Sequence, residues 1–400
     1  MRILLAHNRY QQRGGEDIVF EQEAKLLAEA GHEVGEFVIS NDTIESVASK
    51  AATFLNILDN RRIVQQFAEQ VTSFKPELVH FHNFFPRLSP AAVAYSVQSN
   101  IPTVHTLHNF RHVCAGGMFL RNDSVCQLCL KHPMRLPAVI HRCYRNSAIG
   151  SYAVTRVGHR FRQLLDKHPH HLTLIALTEF VRQQMISDGF PPSQIVTKPN
   201  SVPDAGIGGQ TRERRVLFVG RLSSEKGVSF FIELAKSVDA IFEIIGDGPE
   251  KDQLSANAPR NVVFRGWLDH QAVLERIKSA AVVVVPSRWF EGFSLIVAEA
   301  FSTATPVVVS RMGSLAELVE DDISGFTREL DDFPSWKEAI ERLLNTPQLA
   351  RDLGRGARLA FERKFTRERN LQRLSEIYSA AIERATMASG QPLASTSAAG

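Results

Sequence analysis

No run of the roughly 20 apolar residues that a membrane span needs occurs anywhere in this chain of 400 residues. The first apolar run, Ile3 to Ala6, is shorter than the core of a secretory leader. The expectation is a cytoplasmic protein, with peripheral attachment to the inner face of the plasma membrane as its only link to lipid. Four cysteines in such a compartment do not make a disulfide framework. Neither half opens with a strand followed by GxGxxG, which speaks against a dinucleotide oxidoreductase, and the absence of GxxxxGK[ST] excludes a P-loop NTPase. The basic residues lack an interleaved aromatic ladder, so nucleic acid is not the expected partner.

What remains is ordinary globular composition, 44% hydrophobic and 22% charged. The length is too great for one core and predicts two α/β domains. Arg2 to Ala6 reads as a first buried strand. The loop His7 to Gly14 follows, and Gly15 to Ala30 reads as a helix with Glu16 and Asp17 in its first turn. Strands are expected at Glu33 to Ile39, Glu77 to Phe81, Pro102 to Leu107, Leu172 to Leu177 and Gln194 to Lys198. Ser151 to Asp166 forms an amphipathic helix, with Val154, Val157, Phe161, Leu164 and Leu165 on one stripe. The domains are placed at 1–202 and 215–384, separated by a linker at 203–214 that is rich in Gly and lacks apolar periodicity. The second half restarts the alternation at Arg215 to Val219, and 385–400 reads as a disordered tail.

Several groups call for chemistry. His80 and His82 share one strand face, and His105 and His108 lie at the end of the next strand; they suit a metal or, more readily, neutral acid/base and hydrogen-bonding work. Between about 112 and 146, an interruption holds Cys114, Cys126, Cys129 and Cys143, an inventory that fits a structural zinc site. From Lys131 to His171 there are eight Lys and Arg residues against one acid, Asp166, which favours an anionic partner such as a membrane surface.

The stretch Pro286 to Val309 organises the second half. A β-branched run enters it and another leaves it, so Glu291 and Gly292 lie at the carboxyl end of a buried strand, where open α/β sheets bind ligands. Ser294 is expected to cap the following helix, which carries Glu299 in its second turn. Carboxylates beside a helix N-terminus suit a ligand with both hydroxyls and phosphates. Arg221 and Lys226, between Gly220 and Gly227, are the cations that would neutralise a diphosphate. Gly14-Gly15 at the first helix is a second candidate phosphate loop.

With GRLSSEKG (Gly220 to Gly227), GDGP (Gly246 to Pro249), PSRWFEGFSLIVAEA (Pro286 to Ala300) and PNSV (Pro199 to Val202), the chain resembles the retaining nucleotide-sugar glycosyltransferases of family 4. Ala304 and Ser314 stand where that family often has glycine. The resemblance implies a GT-B fold: two Rossmann-like domains facing a central cleft, with the C-terminal helix crossing back to the first. It implies that Arg221 and Lys226 bind the donor diphosphate, that Glu299 binds the ribose, and that Glu291 holds the sugar hydroxyls, with the amides of Gly292 and Phe293 nearby. His108 would contact the transferred sugar near the reacting carbon, and Gly14 and Gly15 would face the diphosphate. The donor would be a UDP- or GDP-sugar and the acceptor a glycan or lipid-linked intermediate. No catalytic cofactor is implied, since no DxD motif is present and the cations replace a metal. The Cys-rich insertion and the basic patch are expected to present the acceptor at an anionic membrane. Other activities on such a fold are a nucleotide-sugar 2-epimerase, a sugar phosphorylase and a non-catalytic nucleotide-sugar binder.

Overall fold

The computed structural model describes residues 1–388 apart from 12, 13, 43, 45, 133 and 210. The chain forms two compact units: Met1–Gly117 with Gln127–Lys198 and the C-terminal segment from Leu371, and Met118–Cys126 with Pro199–Asn370. The expected boundary after 202 therefore shifts to Lys198. Val202 explains the shift: it is buried in the second core, and its N–H donates to Phe365 O at 3.1 Å.

In chain order to residue 198 the strands are β1 (Arg2–Arg9), β2 (Glu33–Ser40), β3 (Leu78–Asn83), β4 (Thr103–Leu107), the hairpin pair β5 (Leu120–Arg121) and β6 (Ser124–Val125), β7 (Leu172–Ala176) and β8 (Ile195–Thr197). The first unit's sheet is ordered β2-β1-β3-β4-β7-β8, with parallel neighbours. Helices cover both faces, so β3 and β4 are buried along their whole length, His80, His82 and His105 included. The order reverses between β1 and β3. The loops after these two strands therefore lie beside one another at the carboxyl edge.

The helix Ala148–Lys167 begins three residues earlier than its periodicity suggested, because the Ser147 hydroxyl accepts the Gly150 N–H. Its apolar stripe is buried, and Phe161 stacks on Phe84 with centroids 5.3 Å apart. The last helix, Arg367–Ala388, places Leu374, Ile377, Tyr378 and Ala381 in one core with Ile3, Leu5, Phe20 and Val104. The chain thus returns to the first unit, as the GT-B resemblance implies. Residues 385–388, expected in a tail, belong to this helix, and 389–400 lie outside the described residues.

The second unit continues with β9 (Glu213–Val219), β10 (Ile241–Ile245), β11 (Val262–Gly266), β12 (Ala280–Val285), β13 (Val307–Ser310) and β14 (Gly325–Arg328). Their order, β11-β10-β9-β12-β13-β14, is the doubly wound arrangement with its switch point between β9 and β12. Cores form on both faces, one around Phe231, Phe242 and Trp336 and the other around Val283, Phe301 and Phe361.

Candidate active site

At the switch point of the second unit, three loops leave the carboxyl ends of β9, β10 and β12 and meet backbone to backbone. Leu222 N–H donates to Asp247 O at 2.9 Å, and Arg288 N–H to Glu225 O at 2.8 Å. Side chains are excluded at the crossings. A Cβ on Gly227, whose φ is +71°, would lie 2.0 Å from Pro286 O, and one on Gly246, at φ +137°, 1.9 Å from Gly220 O. Gly227 of GRLSSEKG and Gly246 and Gly248 of GDGP are therefore required by close approach of the backbone.

This packing brings Lys226 to Glu291, although 65 residues separate them. Lys226 Nζ lies 2.8 Å from Glu291 Oε1, which also accepts the Ser287 hydroxyl at 2.6 Å. Burial alone would raise the Glu291 pKa. The Lys226 charge and hydrogen bonds from Lys226, Ser287 and Ser294 outweigh it and hold the carboxyl below its usual value. The Ser294 hydroxyl is thus turned to Glu291. It occupies the N-cap position of the helix Leu295–Ser302 without making the expected cap bond, which leaves the first turn without a side-chain cap. Lys226 also stands over the Trp289 ring at 5.2 Å. The buried indole N–H of Trp289 has no hydrogen-bond partner. Arg221 is exposed at the same edge, and Phe293 packs against Phe365 beneath it. Gly292 is held through its carbonyl, which accepts the Ser314 hydroxyl at 3.2 Å.

Glu299 is nearly buried and accepts from His270 Nε2 at 2.8 Å. That bond raises the His270 pKa against a smaller opposing effect of burial. Sequence reasoning missed His270, which precedes Glu299 by 29 residues and belongs to no motif. It also missed Phe119, which is buried beside Phe290 of the β12 loop, so part of the Cys-rich interruption belongs to the second unit.

In the first unit, Gly14 is the N-cap of the helix Gly15–Glu29. Its N–H donates to Asp17 Oδ2 at 2.8 Å, while Asp17 Oδ1 meets His7 Nε2 at 2.8 Å. Asp17, in the first helical turn as expected, is in addition a buried link between the loop and β1. Glu16 turns inward too: its Oε1 accepts Asn109 Nδ2 at 2.7 Å, and burial raises its pKa. His108 is partly exposed after β4, beside the cavity that Asn83, His105, Asn109 and Arg111 also line.

In the first unit Cys114 and Cys143 lie close enough to Cys129 to act on its thiol. None of the four cysteines is in a disulfide. Cys129 is buried and its thiol is pushed up to about 11, first by burial and then by Cys114 and Cys143, while Cys126 belongs to the hairpin segment of the second unit. Among the described residues, the set of three potential ligands with donor atoms within 4.8 Å of one another is Glu23, His80 and His82. No helix among the described residues is long and apolar enough to cross a membrane. Exposed apolar side chains do accompany the basic stretch: Ile140, Ile149 and Tyr152 are 72%, 69% and 52% exposed.

Comparison with known proteins agrees with this geometry. The family model described as Glycosyltransferase Family 4 matches residues 13–205, and that described as Glycosyl transferases group 1 matches residues 205–360. An uncharacterized glycosyltransferase of Methanocaldococcus jannaschii is 26% identical over 304 residues, covering 71% of this chain and 79% of that protein. The Escherichia coli UDP-Gal:α-D-GlcNAc-diphosphoundecaprenol α-1,3-galactosyltransferase is 33% identical over 138 residues, 31% of this chain and 35% of that one. Among solved structures, Anabaena HepE in complex with UDP superposes with a TM-score of 0.68 at 17% identity, covering 95% of this chain and all (100%) of that one. With its two doubly wound parallel sheets and matches to both family models, the chain belongs to the group 1 glycosyltransferases of the GT-B fold.

Proposed function

We propose that the enzyme transfers a sugar from a UDP-sugar, with retention of configuration, to a lipid-linked acceptor held at an anionic membrane surface. The observation that carries the donor assignment is the pair of part-buried Lys226 with buried Glu291 beside an uncapped helix start and the unpartnered Trp289 N–H. Cationic and amide donors next to an ionised carboxylate match a diphosphate joined to a hydroxylated sugar. HepE, of the same fold, was solved with UDP, which favours uridine as the base.

In this reading Arg221 and Lys226 take up the charge that develops on the departing diphosphate, in place of a metal. The bond from the anomeric carbon to the phosphate oxygen breaks, and the acceptor oxygen bonds to the same face. The acceptor's proton passes to the departing phosphate. Glu291 acts as a hydroxyl acceptor and Glu299 receives the ribose. His108 contacts the transferred sugar.

The lipid-linked acceptor is suggested by the E. coli relative, named for a diphosphoundecaprenol substrate, and by Ile140, Ile149 and Tyr152 among Arg142, Arg145 and Arg156. The test is donor binding and turnover across UDP-, GDP- and ADP-sugars with wild type, Lys226→Ala and Glu299→Ala. A single donor class bound by wild type and lost in both variants supports the reading; no nucleotide sugar bound overturns it. Release of free nucleotide with an altered sugar and no acceptor product would identify an epimerase instead.

A further inference from the structure

Behind His108 the first unit buries a line of polar groups for which sugar transfer as described has no use. Lys198, wholly buried, is ion-paired with Glu23 Oε1. Glu23 Oε2 stands 3.4 Å from His82 Nε2, and neither atom has a hydrogen-bond partner, so each is the polar group offered to the other. His82 Nδ1 in turn stands 3.1 Å from His108 Nε2, with ring centroids 5.3 Å apart and ring planes inclined by 23°.

The Glu23, His80 and His82 cluster has the spacing of a metal set, but its chemistry is already committed. Both nitrogens of His80 are used, Nδ1 with the Tyr378 hydroxyl at 2.7 Å and Nε2 with Thr106 Oγ1 at 2.8 Å. The ammonium of Lys198 meets the Glu23 charge, so a divalent ion would enter beside a fixed cation.

The line instead has a direction. Burial, reinforced by the neighbouring histidines and Lys198, keeps His80, His82 and His108 neutral. A neutral imidazole carries one N–H and one lone pair, so its tautomer is set by its partners. A carboxylate only accepts, hence the proton of His82 lies on Nε2, toward Glu23. The opposite tautomer would set lone pairs face to face in a buried site, where an unmade hydrogen bond is most costly. His82 Nδ1 is then an acceptor, and His108 Nε2 must donate to it.

We propose that Glu23, acting through His82, holds His108 in the Nε2–H tautomer, so that the Nδ1 lone pair of His108 accepts a hydroxyl hydrogen of the transferred sugar. Glu23 and His82 are then positioning residues for the transfer, a role that rests on the assignment of His108 to the sugar. The tautomer itself rests only on the line of contacts.

The experiment is long-range proton–nitrogen correlation of the full chain labelled with nitrogen-15 histidine, with signals assigned by His82→Leu and His108→Phe. Wild type is expected to show Nε2 protonated and Nδ1 bare on both rings; a proton on His108 Nδ1 overturns the proposal. In kinetics, His82→Leu is expected to lower kcat about tenfold or more, as when a catalytic imidazole loses the partner that fixes its tautomer, with UDP affinity and donor KM unchanged. His82→Asn, whose Oδ1 replaces the Nδ1 lone pair, is expected to recover most of that loss. A purely packing role for His82 would instead lower the folded yield and leave kcat per folded molecule as in wild type, and that result also overturns the proposal. If wild type binds no nucleotide sugar, the functional reading fails while the ring-nitrogen spectra of the unliganded chain still decide the tautomer.

Discussion

At the scale of single residues, the proposed donor chemistry concentrates on the Lys226–Glu291 pair, and removing either partner has distinct expected consequences. Lys226→Ala leaves the buried Glu291 carboxylate to the Ser287 and Ser294 hydroxyls alone, which lowers stability, and is expected to reduce donor affinity about 100-fold. Glu291→Gln keeps the shape and the Ser287 contact, so calorimetry should show UDP binding retained while turnover falls. His270 offers a pH test. Its pKa is raised in the folded state, so its bond to Glu299 stabilises the protein below the ordinary value of 6.5 and loses that contribution as pH rises through the raised value. Melting curves of wild type and His270→Ala should therefore differ most at acid pH and converge as pH climbs above the folded value. Glu291 and Lys226 were legible because each stands at the carboxyl end of a β-branched strand. His270 was not, because its importance comes from a neighbour distant in the chain.

At the scale of elements, the site depends on three loops that cross without side chains between them. Gly227→Ala places a methyl group 2.0 Å from Pro286 O at a positive φ, and the backbone term alone costs about 1–2 kcal/mol. The melting temperature should drop by at least about 2–4 °C, and the displaced loop should lose donor binding that Ser224→Ala, in the same turn, retains. Ser294 shows where local reading stops. Its place before the helix Leu295–Ser302 marked it as a cap, and it does stand at the N-cap. Its hydroxyl is drawn to Glu291, since a buried carboxylate competes for a hydroxyl more strongly than a backbone N–H does.

At the scale of the whole molecule, the helix Arg367–Ala388 is the consequential piece. Truncation after Asn370 would strip Leu374, Ile377 and Tyr378 from the first core and leave His80 Nδ1 buried without its hydroxyl partner, a cost of about 1–3 kcal/mol before lost packing is counted. Such a chain should aggregate or lose its cooperative melt. The proposed membrane association is tested on the full chain as well. Vesicles with anionic lipid should retain wild type at low salt, and Ile140→Glu with Ile149→Glu should weaken retention; equal retention would place the contact elsewhere. What the sequence by itself determined was the periodic and the local: two α/β halves, the strand ends, and the glycine, lysine and glutamate positions of the donor loops, because strand burial and tight turns constrain residue type at each position directly. Only the tertiary structure decided that Glu23, Lys198 and His82 form one buried line leading to His108, and that Leu374, Ile377 and Tyr378 are residues by which the last helix enters the first core. These are juxtapositions of residues remote in the chain, and they follow from sheet order and packing, which local periodicity does not encode.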